Sequence, residues 1–317
     1  MEREELLGLR IVVLAGGWSS EREISLSSGR ACQAALREAG VRSVDLLDPA
    51  EEKFIQKLID GHYDVAFIAM HGRYGEDGCV QGLLEVLHIP YTFSGVAASA
   101  VGTEKELSVA VCAAAGIDVP QGIDVPATTV LNEDEIAELV MRFGLPLFVK
   151  PSNNGSSYGV SRVTEASELN DAIALAGAQG SRVLIEECVV GTEVTVAVIG
   201  NADAKALPIV EIVTGADFYD TKVKYEPSEL HHVIPARLPE DVYARTQAAG
   251  VAAHKALGCR GCSRSDFIVK ADGTPVYLET NTIPGMTATS LLPDAARHDG
   301  IEFPDLCCLF VELALEV

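Results

Sequence analysis

The chain has 317 residues, 48% of them hydrophobic, with a formal net charge of −22, which is length enough for two or three domains with cores of their own. So large an excess of acid argues against nucleic acid, which is met by basic patches; no apolar run approaches the ~20 residues that span a bilayer, and no cationic leader precedes an apolar segment at the start. A cytoplasmic protein with no nucleic-acid and no membrane partner is expected, and its eight cysteines, which lack framework spacing, are expected as reduced buried thiols, Cys259-Arg260-Gly261-Cys262 included.

Residues 10–16 form a short apolar run ending in Gly16-Gly17, the composition of a buried parallel strand entering a glycine turn. The segment Ser19-Ser20-Glu21-Arg22-Glu23-Ile24-Ser25 then caps a helix that stops at Ala39-Gly40. A strand–glycine–helix unit of this kind offers helix amides to an anion or ligand, but it lacks the full dinucleotide fingerprint, so NAD is not expected. Strands at 41–47 and 64–70 alternate with helical segments, which predicts an N-terminal α/β domain with a parallel sheet. His71 follows the third strand directly, in His71-Gly72-Arg73-Tyr74-Gly75-Glu76-Asp77-Gly78, and carboxyl ends of parallel strands line binding crevices. Residues 89–95 close this unit, and Thr103-Glu104-Lys105 opens the next helix.

An apolar strand over 145–150 ends in Lys150, which in such a place needs a charged partner. The loop Pro151-Ser152-Asn153-Asn154-Gly155-Ser156-Ser157-Tyr158-Gly159 follows, a cover whose amides and hydroxyls suit phosphate oxygens. Residues 183–193 read as a strand crossing into a third unit, with acids placed to accept from an amine or a sugar hydroxyl. The expected divisions are 1–102, 103–188 and 189–317.

The stretch from Arg264 to Ser290 organises the rest. Two apolar runs flank Asp272-Gly273, a pair that favours a two-residue hairpin turn. Counting outward pairs Val269 with Val276, Phe267 with Leu278, Asp266 with Glu279 and Arg264 with Asn281. The period of two then turns Phe267, Val269, Val276 and Leu278 toward a core and puts Arg264, Asp266, Glu279 and Asn281 on the other face. Facing carboxylates repel. The acids of an exposed hairpin can simply be solvated, but Asn281 and Arg264 beside them and the Pro-Gly turn that follows favour a hard divalent cation held through carboxylate and amide oxygens, with substrate phosphates completing its shell; Mg²⁺ suits such donors better than zinc. On this count Glu279→Gln is expected to abolish turnover while stability without metal holds or rises.

Further residues carry a resemblance. Gly16-Gly17 with Glu21-Arg22-Glu23-Ile24-Ser25, His71-Gly72 with Gly75-Glu76-Asp77-Gly78, and Val149-Lys150-Pro151 with Gly155-Ser156-Ser157 come first. Phe218-Tyr219-Asp220 with Lys224-Tyr225, Arg264 with Asp266, Glu279 with Asn281, and Pro284-Gly285-Met286-Thr287 with Ser290-Leu291 follow. In this order and spacing the chain resembles the D-alanine–D-alanine ligases of the ATP-grasp superfamily over nearly its whole length. The resemblance implies a three-domain ATP-grasp architecture of mixed α/β and α+β type. It also implies ATP-dependent joining of two D-alanine molecules through an acylphosphate, for peptidoglycan precursors.

The site residues the resemblance implies are these. ATP lies between the second and third domains, with Lys105 and Lys150 on its phosphates, Glu186, Val189 and Glu193 at adenine and ribose, and Ser156 and Ser157 in the covering loop. Asp266, Glu279 and Asn281 hold two Mg²⁺ ions, or Mn²⁺. Glu21 takes the ammonium of the first D-alanine with His71 nearby, Arg264 and the Gly285 amide stabilise the acyl oxygen, and Lys224, Ser290 and the Leu291 amide take the second carboxylate. Glu21, Ser156 and Tyr225 form a hydrogen-bonded triad over the site. A homodimer is what the family suggests. The chain departs from the family at Trp18, where a smaller or polar residue is usual, at Phe93 for a common glycine, at Thr103-Glu104-Lys105 for Met-Asp-Lys, and at Thr221-Lys222-Val223. Two other functions fit the same residues: a ligase with D-serine or another small amino acid as second substrate, and a nucleotide-binding regulator without turnover.

Overall fold

A computed structural model describes residues 2–152, 159–214, 230–287 and 289–316. Three sheets divide it. The first is parallel, with β1 (Arg10–Leu14) between β2 (Ser43–Leu47) and β3 (Val65–Ile68). Ile11, Val12, Val13 and Leu14 are fully buried, as expected of a central parallel strand covered on both faces. The helix Arg22–Glu38 packs on β1 and β2, while the last helix of the chain, Phe303–Leu315, packs on that helix and on β3. Both ends of the chain thus share one core. Phe93 is buried within it, edge-on to Phe67 at 5.4 Å and to Phe310 at 5.0 Å between ring centroids.

The second sheet is antiparallel, in the order β4 (Gly122–Pro126), β7 (Arg182–Glu187), β5 (Leu147–Pro151), β6 (Ser161–Val163). The helix Leu169–Gly177 lies against it. Its buried positions, Leu169, Ala172, Ile173 and Ala176, repeat at the spacing that makes one apolar stripe. The third sheet runs β11 (Leu230–Val233), β10 (Val210–Thr214), β8 (Thr192–Ile199), β12 (Cys262–Val269), β13 (Pro275–Asn281), with β9 (Lys205–Ala206) on β8. The helix Glu240–Ala256 covers β8, β12 and β13.

Residues 183–193, expected as one strand crossing between units, are instead two strands of two sheets, with β7 ending at Glu187 and β8 starting at Thr192. Gly191 lies in the connection, and a Cβ there would come within 2.2 Å of the Val269 carbonyl oxygen, so the crossing runs where only glycine fits.

The hairpin turn also differs from expectation. Gly273 N donates to Lys270 O and Lys270 N to Thr274 O, with Gly273 at φ +83°, which makes a three-residue loop with glycine in the left-handed position. The register from the turn is therefore Val269 with Pro275, Ile268 with Val276 and Phe267 with Tyr277, until a bulge shifts it and Asp266 meets Glu279 and Arg264 meets Asn281. The longer loop puts Tyr277, not Leu278, opposite Phe267 on the core face, ring centroids 5.8 Å apart; Leu278 is only half-buried.

All eight cysteines are free thiols; Cys32, Cys112, Cys259, Cys262 and Cys307 are buried as expected, whereas Cys79 is exposed and Cys188 and Cys308 are half-buried. Among the described residues no helix is long and apolar enough to cross a membrane.

Candidate active site

A cleft of about 1290 Å³ opens where the three sheets approach one another. Its wall comes from residues 18–21 after β1, 72–77 after β3, the start of the helix Lys105–Ala114, the turn 179–181 before β7, Arg264 of β12, and 279–282 at the end of β13. Of the site residues expected from the sequence, Glu21, Lys105, Arg264, Glu279 and Asn281 are on that wall.

The facing carboxylates are where the strand count puts them, and each has its own cation. Arg264 Nε and Nη2 donate to Asp266 Oδ1 and Oδ2, both at 3.2 Å, and Thr195 Oγ1 of β8 donates to Asp266 Oδ1 at 2.5 Å. The Lys105 ammonium donates to Glu279 Oε2. Lys105 is only 8% exposed; burial works to lower its pKa, but Glu279, with help from Glu186 and Asp266, outweighs it and leaves the pKa raised. Lys150 meets its required partner in Glu186, Nζ to Oε1 at 2.5 Å, both side chains largely buried. Asn281 stands opposite Arg264 and accepts from Ile283 N at 3.0 Å, which turns the chain away from β13.

Asp266, Glu279 and Asn281 offer two carboxylates and an amide oxygen. Among the described residues no three His, Cys, Asp or Glu side chains are grouped to hold a metal on their own. Hard oxygen donors too few to fill a shell fit a divalent cation that shares phosphate oxygens.

On the N-terminal side, Glu21 precedes the helix Arg22–Glu38, its carbonyl accepting from Ser25 N at 2.9 Å. Its carboxylate passes over Gly72: a Cβ there would lie 2.8 Å from Glu21 Oε2, and Gly72 has φ +71°. His71 is buried behind the wall rather than on it, with Nε2 3.0 Å from Ser28 Oγ, Nδ1 3.5 Å from Glu76 Oε1, and its carbonyl accepting from Ser19 Oγ at 2.7 Å. It ties the two loops that carry the cleft residues. The amides of the glycine turn are used inside the protein, Gly16 N donating to Ser25 Oγ at 2.8 Å and Gly17 N to Asp48 Oδ1 at 2.9 Å. Asp48 in turn pairs with Arg22 at 2.5 Å.

Gly285 and Ser290 cluster at the start of the helix Leu291–His298. Ser290 Oγ accepts from Thr287 N at 3.1 Å, and a Cβ on Gly285 would come within 2.9 Å of it. The Leu291 amide opens that helix. Val189 lies half-buried between β7 and β8, and Glu193 is on β8 opposite Ile268. Ser156, Ser157, Lys224 and Tyr225 lie outside the described residues.

Three parts of the site carried no local signal. Thr195 is one of two threonines in a mostly apolar strand. The turn 179–181 reads as an ordinary connection. Trp18, 62% exposed, meets Tyr74 edge-on at 5.7 Å, and the Arg73 guanidinium lies 4.8 Å above the Tyr74 ring; Trp18 stood out as a family departure, but its partner did not.

Comparison with known proteins places the chain. Profiles of the D-ala D-ala ligase N-terminus and C-terminus match residues 47–94 and 111–312. A D-alanine–D-alanine ligase from an Anaeromyxobacter species is 48% identical over 300 residues, 95% of each chain. The crystal structure of a D-alanine–D-alanine ligase from Bacillus anthracis complexed with ATP superimposes with a TM-score of 0.84 at 34% identity, covering 98% of each chain. A D-Ala:D-Ser ligase from Enterococcus faecalis superimposes with a TM-score of 0.81 at 29% identity, covering 97% of this chain and 99% of its own. With both halves matched in order, and close relatives sharing nearly the full length, the chain belongs to the D-alanine–D-alanine ligase family, of ATP-grasp fold.

Proposed function

We propose that the protein joins two D-alanine molecules at the expense of ATP, in the cytoplasm, and so supplies the dipeptide for peptidoglycan precursors. The observation that carries this is the Asp266–Glu279 pair, set opposite each other on the cleft side of a hairpin with Lys105 and Arg264 beside them, in a chain 48% identical to a D-alanine–D-alanine ligase. Three divisions of the chain, 1–102, 103–188 and 189–317, belong to the same reading. Each carries one sheet, and the last helix returns to the first. A homodimer, as the resemblance suggests, is part of the same reading.

Asp266, Glu279 and Asn281 hold divalent ions, Mg²⁺ or Mn²⁺. Bound there, such ions would offset charge on the phosphates during transfer. Lys105 and Lys150 take phosphate oxygens, Ser156 and Ser157 cover them, and Glu186, Val189 and Glu193 take adenine and ribose. Glu21 holds the ammonium of the first D-alanine. That substrate's carboxylate attacks the γ-phosphate, giving an acylphosphate and ADP. Arg264 and the Gly285 amide then stabilise negative charge on the acyl oxygen as the second amine attacks and phosphate leaves. Lys224, Ser290 and the Leu291 amide hold the second carboxylate. A triad of Glu21, Ser156 and Tyr225 keeps water from the acylphosphate.

Product mass from ATP, Mg²⁺ and a mixture of D-amino acids tests the reading. D-alanyl-D-alanine with stoichiometric ADP is expected. ADP formation without D-alanine, or equal turnover of L-alanine, would overturn it. The likeness to a D-Ala:D-Ser ligase keeps D-serine as the second reading for the nucleophile, and the mixed dipeptide as dominant product would favour it. Nucleotide binding without hydrolysis under every condition would instead mark a regulator.

A further inference from the structure

The two loops that carry Glu21 and His71 meet at two levels. At the base, Ser19 Oγ donates to the His71 carbonyl at 2.7 Å and the Glu21 carboxylate passes over Gly72. At the lip, Trp18 meets Tyr74 edge-on, ring centroids 5.7 Å apart and planes at 87°, and the Arg73 guanidinium lies 4.8 Å above the Tyr74 ring. Both rings line the cleft together with Glu21. Trp18 is the single tryptophan of the chain.

Neither ring serves a core. Trp18 is 62% exposed and Tyr74 37%, which leaves in water much of the apolar area that makes aromatic side chains worth burying. Yet the backbone that presents them is fixed. Gly17 N donates to Asp48 Oδ1 and Gly17 O accepts from Arg22 Nη1 at 2.7 Å, while Ser19 is tied to His71, so Trp18 is pinned through both neighbours. Tyr74 holds φ +69°, a left-handed conformation that a residue with a Cβ rarely adopts. Its amide donates to Asp77 Oδ2 at 2.8 Å, and Gly72 N donates to Glu76 Oε2 at 3.0 Å, so two acids at this end of the cleft keep that turn in shape. Strain that turns a ring toward a cleft instead of a core points to function. Glu21, which meets the ammonium of the first substrate, is half-buried whereas both rings are exposed, so the aromatic pair lies on the solvent side of that subsite. The substrate's side chain has no charge to pair and is met by the apolar surface that closes the mouth. A wall that does not yield discriminates by a single methylene, about 10–200-fold.

We propose that Trp18, backed by Tyr74 and Arg73, is the specificity wall of the first-substrate subsite: it covers a bound D-alanine and excludes D-amino acids with longer or branched side chains. This rests on the reading of Glu21 as the ammonium partner of the first D-alanine in a dipeptide-forming ligase.

Competition in one reaction tests this. The full chain receives ATP, Mg²⁺ and equal amounts of D-alanine and D-α-aminobutyrate, which is one methylene longer, and tandem mass spectrometry reads the residue at each end of the dipeptide. Wild type should place D-α-aminobutyrate at the N-terminal position rarely. Trp18→Ser should raise its ratio to D-alanine there by about tenfold or more and leave the C-terminal ratio, set by a different subsite, unchanged. Trp18→Phe, which keeps a ring, should follow wild type, and Tyr74→Gly, which removes the backing ring and relieves the left-handed backbone, should move in the direction of Trp18→Ser. Wild type that accepts D-α-aminobutyrate at the N-terminal position as readily as D-alanine overturns the proposal. So does an N-terminal ratio that Trp18→Ser leaves unchanged, or an equal rise at both ends, which would mean a general loosening of the cleft. Fluorescence of the single indole adds a readout independent of turnover. With a non-hydrolysable ATP analogue present, D-alanine should protect Trp18 from acrylamide quenching, and the analogue alone should not. Quenching unchanged by D-alanine, or lowered equally by the analogue alone, overturns the proposal. Failure of wild type to form any dipeptide from D-alanine would instead remove the ligase reading on which it rests.

Discussion

Lys105 and Glu279 are joined by a direct ion pair across 174 residues of sequence. The pair reverses the expected effect of removing the carboxylate. Facing acids suggest that Glu279→Gln relieves repulsion, but Asp266 already has Arg264 and Thr195, whereas Lys105 is almost wholly buried. Taking away its carboxylate leaves a buried ammonium short of a counter-charge. Because the Glu279 side chain is 31% exposed, the loss is expected below that of a fully buried pair, about 1–3 kcal/mol in urea unfolding with chelator present. Turnover should be lost as well. A midpoint that stays put or rises would show that repulsion, not the ion pair, dominates.

The same hairpin shows where the sequence is legible and where it is not. Counting from Asp272-Gly273 places Asp266 opposite Glu279, and the structure agrees, yet the turn is one residue longer than counted. A bulge between the turn and the acids restores the register. Alternation of side chains reports which face a strand buries, but not an added residue that packing with Phe267 and Tyr277 tolerates. The strands β1 and β3 were readable because burial on both faces leaves an unbroken apolar run. The partners of Lys105 and of Trp18 come from distant segments, and no local pattern carries them. His71 sat beside a predicted strand end, as it does in the structure, but its ring turns inward to Ser28.

Stability should fall in acid on account of His254. This histidine of the helix Glu240–Ala256 is fully buried, with Nδ1 2.8 Å from Ser263 Oγ. Burial, against a smaller contribution from the Gly200 backbone, lowers its pKa from 6.5 to about 4. The unfolded chain therefore takes up a proton below pH 6.5 that the folded chain refuses until about pH 4, so folding weakens as pH drops through that window. The full loss approaches roughly 3 kcal/mol below both values. Urea unfolding of wild type and His254→Gln at pH 7, 5 and 4 should show the gap between them narrowing toward acid. A gap that does not change with pH would rule this histidine out.

Phe93 holds a left-handed backbone, φ +72°, although its side chain is buried between Phe67 and Phe310. Two effects oppose each other in any truncation. Losing the ring leaves a cavity worth about 3–5 kcal/mol, and glycine recovers roughly 1 kcal/mol of backbone strain that alanine keeps. Both variants should be destabilised, with Phe93→Gly the more stable of the two by about 1 kcal/mol. Thermal unfolding of the pair checks the order; Phe93→Ala at or above Phe93→Gly would mean that the strain is not borne at this residue.

Glu106 and Asp124 place two carboxyl groups side by side with one arginine, Arg182, which donates to Asp124 and lies 3.4 Å from Glu106 Oε2. The hydrogen bond to Asp124, then burial, push Glu106 up from 4.5 to about 7, and Arg182 does not offset them. A raised acid stabilises the fold below its unfolded value and loses that contribution as pH rises through about 7. An amide at this position donates to Asp124 at any pH. Glu106→Gln should therefore match wild type at pH 5 and exceed it at pH 8, by about 1–2 kcal/mol once the part-exposed side chain, 27%, is allowed for. Calorimetry of both proteins at the two pH values decides it. An equal difference at pH 5 and pH 8 would mean that Glu106 is ionised throughout and that Arg182, rather than a shared proton, holds the two acids together.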